Sequence, residues 1–448
     1  MSRVGVRRSN GTEQNKLLAD DRPAHEWYRF VLSFPPHLVR EYLTRFGLGS
    51  KHCVLDPFCG TGTTLVECKK LGVPSVGIEA NPVAHFASST KSNWQIDPEQ
   101  LWIEANLIAE AATNELVATG VAACTARFAN GSRSRTRAGT IKLRTLPPDC
   151  ASLLLGTSIS PLPLHKTLTL LECIRTSSTP AFLNHELLAL AKVAVQSASN
   201  LHFGPEVGVG PPKHDAEVVS TWLAEMSTIC ADLRTLQANG TPVVVHCGDS
   251  REVLRFLEPK SVDAVITSPP YPNEKDYTRT TRLESVLLGF IKNKAALREL
   301  KRGLVRSNTR GVYKGDNDDD WVDDHAEVQR IANEIEARRL ALGKTSGFER
   351  LYHRVTKLYF GGMARHLAEL KEVLRPNAHL AYVVGDQASY LRVMIRTGQI
   401  LGEIAVSQGF ELVGIDLFRT RLATATREQL REEVVLLRWP GRRRRKRG

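Results

Sequence analysis

Thr267-Ser268-Pro269-Pro270-Tyr271 closes the apolar run Val262-Asp263-Ala264-Val265-Ile266. An apolar run of this length that meets a rigid turn predicts a buried parallel strand whose carboxyl end opens into that turn. Two consecutive prolines hold φ near about −65° and remove two backbone donors, so carbonyl oxygens stay available between Ser268 and Tyr271. An acceptor-rich socket beside an aromatic ring fits a planar group with an exocyclic NH2, because its two hydrogens need acceptors and its ring needs a stacking partner. The bland alternative for Pro-Pro-Tyr is a polyproline turn or a ligand for another domain.

Upstream, Cys53-Val54-Leu55-Asp56-Pro57-Phe58-Cys59-Gly60-Thr61-Gly62-Thr63-Thr64 reads as a second apolar strand, a glycine turn and a helix start. The helix is expected from Thr63 to Leu71, followed by a strand over Ser75-Val76-Gly77-Ile78-Glu79. Glu79 lies seventeen residues past Gly62, near the ~20 at which an acid accepts ribose hydroxyls in βαβ nucleotide sites. The turn lacks the third glycine of a dinucleotide fingerprint and carries Asp56. A carboxylate there would repel a pyrophosphate but neutralise an ammonium. The competing role for Asp56 is a turn cap.

With both elements present, the chain resembles the S-adenosylmethionine-dependent amino-methyltransferases of nucleic acids. Their hallmarks are Asp-Pro-Phe-x-Gly-x-Gly and (Ser/Asp/Asn)-Pro-Pro-(Tyr/Phe). The resemblance covers about residues 25–90 and 242–440, and implies a class I, Rossmann-like α/β fold with a mostly parallel seven-stranded sheet and an inserted helical subdomain. It implies S-adenosylmethionine as cofactor, held by Phe34, Asp56, Pro57, Phe58, Gly60, Thr61, Gly62, Thr63, Glu79, Asp249 and Ser250. It implies catalysis by Ser268, Pro269, Pro270 and Tyr271 on duplex DNA whose target base is flipped out, with restriction or defence proteins as possible partners. Ser at the first motif position resembles the cytosine-N4 enzymes, whereas adenine-N6 enzymes more often carry Asp or Asn. Adenine-N6 and RNA guanine-N2 methylation and a non-catalytic DNA-binding subunit remain the alternatives. Ring-carbon cytosine methylation normally uses a Pro-Cys nucleophile, and no Pro-Cys dipeptide occurs.

Composition sets the outer bounds. The 448 residues are 42% hydrophobic and 24% charged, an ordinary globular balance. Apolar runs stop well short of the ~18 residues of a membrane span, and the basic N-terminus lacks a signal-type apolar core, so a cytoplasmic protein is expected. The eight cysteines form no Cys-x-x-Cys pair, so no metal site is expected and most should be small buried residues. The net charge is +12, and Arg442-Arg443-Arg444-Arg445-Lys446-Arg447 supplies half of it. That balance suits a polyanion partner.

Residues 1–24 are expected to be disordered, with order beginning at Trp27 and a helix opened by Pro35 and Pro36. The catalytic domain is expected over 25–94 and 242–440, with a helical insertion at about 281–378, and residues 441–448 form a basic tail. Residues 95–241 read as an inserted subdomain, a candidate for gripping DNA. It holds helices over Leu101–Val121 and Leu183–Ala198 and a basic loop with Arg127, Arg133, Arg135, Arg137, Lys142 and Arg144. Pro242 to Cys247 reads as a strand ending at Asp249 and Ser250, where Asp249 would accept from adenine or cap a helix over Arg251–Phe256. The acidic stretch Asp316 to Asp324 should face away from phosphates. Helical segments Ala326–Leu342 and Phe348–Leu374, with Arg338, Arg339, Arg350 and Arg354, could form a second cleft wall or merely solvated faces. A strand at His379–Asp386, a helix at Leu391–Gln408 and strands at Glu411–Phe418 and Val434–Trp439 should close the sheet.

Overall fold

The computed structural model describes residues 17–29, 33–121, 142–203, 206–236, 239–273, 275–422 and 429–441. Seven strands form one sheet: β1 (Val54–Asp56), β2 (Ser75–Glu79), β3 (Val243–Cys247), β4 (Val262–Thr267), β5 (Leu374–Gly385), β6 (Glu411–Leu422) and β7 (Gln429–Trp439). Their spatial order is β3-β2-β1-β4-β5-β7-β6. All neighbours are parallel except β7, which runs antiparallel to both β5 and β6. This is the mostly parallel sheet of a Rossmann-like methyltransferase.

The central strands are apolar because both faces are covered. Val54, Leu55, Val262, Ala264, Val265, Leu380 and Ala381 are all buried. The helix Tyr352–Val373 lays Val355, Tyr359, Met363, Leu367 and Leu370 into the core that holds Leu55, Val265 and Leu380. Pro36–Arg45 covers the other face with Leu38, Val39, Tyr42 and Leu43, packed with Val54 and Ile266. The proline start sits where a missing N–H costs nothing.

The helices Pro98–Ala118, Pro161–Ser177, Leu183–Val193 and Val218–Leu236 gather around Trp222, Leu101, Leu170 and Leu188. Their core is continuous with Val66, Val83 and Ala87 beside the sheet, so this segment leans on the catalytic layer through shared apolar packing. A short antiparallel hairpin joins Leu201–Phe203 to Val207–Val209. Leu183–Val193 passes into a π-turn over Ala194–Ala198. Among the described residues no helix is long and apolar enough to cross a membrane.

Several expectations need correction. Order begins before Trp27: Ala19–Asp21 forms a turn whose buried Asp21 pairs with Arg40 at 2.7 Å. The predicted helix at 391–408 starts only at Thr397, because Leu391 and Arg392 adopt positive φ of 53° and 63° and Gln387 bridges to Ile395. The helix predicted over 251–256 is a single 3-10 turn, Val253–Arg255. Within the acidic stretch Asp316 meets Arg306, Asp318 meets Arg251 and Arg365, and Asp319 meets Arg354, while Asp320, Asp323 and Asp324 are exposed. Cys59, Cys68, Cys173 and Cys230 are buried, while Cys247 is exposed. Residues 1–16, Arg127, Arg133, Arg135, Arg137 and the tail Arg442 to Arg447 lie outside the described residues.

Candidate active site

The glycine turn leaves β1 with Gly60 at φ 51° and Gly62 at φ 85°, a left-handed backbone that side chains resist. Gly62 caps the helix Thr63–Lys70, and a Cβ on it would sit 3.0 Å from that of Ser88. A Cβ on Gly60 would meet nothing within 4 Å, since that turn borders open space. From below, Lys91 donates to the Thr61 carbonyl at 2.7 Å and to Tyr28 at 3.2 Å. Burial without a carboxylate partner lowers its pKa to about 7. Lys91 was not singled out from sequence, although Ala84, Ala87, Ser88 and Lys91 share one helical face, and a lysine on a buried face was the available signal.

Glu79 ends β2 beside that turn. Its Oε2 accepts from the Gly60 N–H at 2.9 Å and its Oε1 from the Asn81 N–H at 2.7 Å. Burial pushes its pKa up to about 7 against those bonds. Asp56 is fully buried beneath the turn. It accepts from Thr267 Oγ1 at 2.6 Å and the Phe58 N–H at 3.2 Å, and burial raises it to about 6. Thr64 Oγ1 donates to the Ile266 carbonyl at 3.1 Å, so the glycine turn is pinned to the end of β4 at two points.

β4 then delivers Ser268. Its hydroxyl donates to the Val383 carbonyl at 3.1 Å, which commits the only hydrogen and leaves the oxygen as an acceptor. Tyr271 lies against β5, where a Cβ on Gly385 would meet its ring at 3.2 Å. Burial raises its phenol above the usual range, and nearby Glu432 adds to the effect. Behind the glycine turn, Phe58 packs edge-on to His366 with centroids 5.0 Å apart. His366 Nδ1 must donate to the Ser250 carbonyl at 2.8 Å, so Nε2 accepts from Tyr382 at 2.7 Å. Burial keeps it neutral, with a pKa near 4.

A single cavity of about 370 Å³ joins these loops. Phe34, Pro57, Phe58, Gly60, Thr61, Thr63, Glu79 and Ser250 line it together with Ser268, Pro269, Pro270 and Tyr271. Asp56, Gly62 and Asp249 do not. Asp56 lies under the floor, and Gly62 is pressed onto Ser88. Asp249 holds Arg251 at 2.6 Å, and Arg251 also grips Asp318. That carboxylate is thereby turned to an arginine. Sequence reading also missed the wall made by residues 303–308, which lies within a stretch read as helical. Arg251 holds its start through the Arg302 carbonyl at 3.2 Å, and Tyr390 holds Ser307 at 2.9 Å. Lys275, Lys301, Arg306, Arg419 and Arg421 add cationic groups around the opening, where Lys301 meets Asp276, Arg306 meets Asp316, and Arg419 and Arg421 meet Glu432. Among the described residues no cluster of metal-ligating side chains occurs.

A glycine turn and a proline turn at the carboxyl ends of adjacent parallel strands share one cavity, which is where open α/β sheets bind their ligands. A family model described as "DNA methylase", covering N6 and N4 methyltransferases, matches residues 6–88. The chain is 26% identical to the type II methyltransferase M.BsoBI of Geobacillus stearothermophilus, across 92% of this chain and 84% of that protein. It is 22% identical to the type II methyltransferase M.AvaI of a Nostoc strain, across 94% of this chain and 87% of that one. Over 59 residues it is 46% identical to the type II methyltransferase M.MjaII of Methanocaldococcus jannaschii, which covers 13% of this chain. The chain is thus similar along most of its length to type II methyltransferases, and its N-terminal part matches the model of the N6 and N4 DNA methylases.

Proposed function

We propose that this protein transfers a methyl group from S-adenosylmethionine to the N4 amine of a cytosine flipped out of duplex DNA. The observation that carries the reading is the shared cavity, with the glycine turn and Glu79 at one end and Ser-Pro-Pro-Tyr at the other. The residues present fit the cofactor. Glu79 offers carboxylate oxygens for ribose hydroxyls, and the side-chain-free face of Gly60 leaves room for close approach. Phe34, Phe58 and Ser250 complete that end. The bound cofactor supplies an electrophilic methyl on a positively charged sulfur.

The rest falls to the chain. An exocyclic amine shares its lone pair with the ring and is a poor nucleophile. Ser268 Oγ, kept as an acceptor by its bond to Val383, would take one amine hydrogen, and a Pro269 carbonyl the other. Both would favour a pyramidal nitrogen and stabilise the positive charge that grows there as the N–CH3 bond forms and the S–CH3 bond breaks, the sulfur leaving as a neutral thioether. The spare proton then leaves to water. Tyr271 would stack on the rotated base, which a duplex otherwise shields. Holding nitrogen and methyl at ~3–3.5 Å accounts for several kcal/mol of barrier. A cognate restriction nuclease is the partner that this activity would protect against.

Choice of cytosine N4 rests on Ser268, which resembles the cytosine-N4 motif. Purified protein incubated with mixed-sequence duplex DNA and labelled S-adenosylmethionine should label the DNA. Base-resolved sequencing of DNA from a host expressing it should show N4-methylcytosine at one motif. N6-methyladenine would overturn the base assignment, and no transfer to any DNA would overturn the reading as a whole.

A further inference from the structure

Asn308 stands out on the wall that sequence reading missed. It lines the cavity, yet is only 8% exposed. Its Nδ2 donates to the Lys275 carbonyl at 3.1 Å, which fixes the orientation of the amide, because a flip would set two carbonyl oxygens against each other. Its Oδ1, itself shielded from solvent, is left without a partner among the described residues. An unmet buried acceptor costs about 1–3 kcal/mol and is uncommon enough to need a reason. Its tether places it at the catalytic end of the cavity: Lys275 lies four residues beyond Tyr271, on the same loop.

We infer that Asn308 is a specificity-determining residue whose Oδ1 accepts an N–H from the target base. The inference rests on the DNA amino-methyltransferase reading above. An orphaned carbonyl asks for a donor, and on the exposed edges of cytosine and adenine the exocyclic amine is the donor. Thymine presents a carbonyl at the equivalent position, so oxygen would face oxygen. Asn308 would share one amine hydrogen with the Ser-Pro-Pro turn in a three-centre bond. The proline turn activates the amine, and Asn308 rejects bases without one.

The test uses the full chain, saturating S-adenosylhomocysteine and short duplexes carrying the recognition motif found by sequencing. The target base is either the natural amine or its deaminated counterpart, uracil for cytosine or hypoxanthine for adenine. Both are set opposite an abasic position so that pairing strength does not differ. Wild type should bind the amine duplex on the order of tenfold more tightly. Asn308→Leu and Asn308→Ala should lower that ratio about threefold or more, the remainder being held by Ser268 and Pro269, while S-adenosylhomocysteine affinity stays within about threefold. A wild-type ratio near one, read whether or not the variants fold, would overturn the inference. So would a Leu variant that keeps the preference, or variants that lose S-adenosylhomocysteine instead, which would place Oδ1 at the cofactor. A wild type that methylates no DNA fails at the earlier step and is thereby distinguished.

Discussion

Replacing Glu79 by Gln tests the cofactor end of the cavity through its proton balance. In the free protein burial lifts the carboxyl from 4.5 to about 7. That rise disfavours the charged form by up to about 3 kcal/mol, less whatever cavity water relieves. Near pH 7 the group is therefore about half protonated. Ribose hydroxyls donate to the carboxylate and favour its charged form, so ligand binding should lower this pKa and release a proton. The sign follows: affinity for S-adenosylhomocysteine should weaken as pH falls through 7 towards 5.5, by up to about tenfold per unit. In Glu79→Gln the affinity should be lower throughout and flat over that range. Melting temperature discriminates poorly. The amide removes the desolvation penalty but sets its NH2 against the N–H of Gly60 or Asn81, which costs about 1–3 kcal/mol, so the two effects offset. Calorimetry at pH 6, 7 and 8, in two buffers of different ionisation enthalpy, counts the proton directly. Proton release identical in wild type and variant, or none in either, would refute the role given to Glu79.

Ser268→Ala combined with Tyr271→Ala should lower methyl transfer by about 10²–10³-fold or more, with S-adenosylhomocysteine affinity within a few fold, as read by labelled-methyl incorporation and calorimetry. Lost cofactor affinity would mean that the catalytic end has been misassigned. Gly62→Ala forces a side chain into φ 85° with its Cβ 3.0 Å from Ser88, and should cost about 2–4 kcal/mol in urea unfolding. Arg251→Met strips the shared partner from Asp249 and Asp318, both largely buried. It should destabilise the protein by about 3–5 kcal/mol, towards the low end because Arg365 still reaches Asp318 at 3.4 Å.

Local backbone chemistry made part of this readable before the structure. Ser75–Glu79 appears with the predicted bounds, and Thr63 starts its helix where expected, because glycine and proline fix the turns and doubly covered strands must be apolar. The period-based reading of 391–408 failed where two consecutive residues enter the left-handed region, which no apolar pattern reveals. The long-range polar pairings were invisible for a different reason. Thr267 is 211 residues from Asp56, and Asp318 is 67 from Arg251, so nothing in either neighbourhood announces the partner. Asp249 illustrates the consequence. An acid after an apolar strand suggests an adenine acceptor, but the arginine two residues on takes both its oxygens. Asn308 lies in a stretch with no strong period, and its interest arises only from an oxygen that the fold leaves unmatched.

The architecture also bears on how two loops two hundred residues apart can hold reacting atoms in line. β1 and β4 are direct neighbours, paired Val54 to Ala264 and Leu55 to Val265. Adjacent strands lie about 4.8 Å apart, so the two turns start from points already near the ~3–3.5 Å required for attack. The remaining difference is bridged by short turns, each with little freedom: one is limited by prolines, the other by Asp56 and Thr64 bonded to Thr267 and Ile266. On the opposite side of β1, β2 brings Glu79 to the same edge through the register Asp56 to Gly77. The relative placement of the two turns is thus inherited from sheet register and does not depend on the inserted helices.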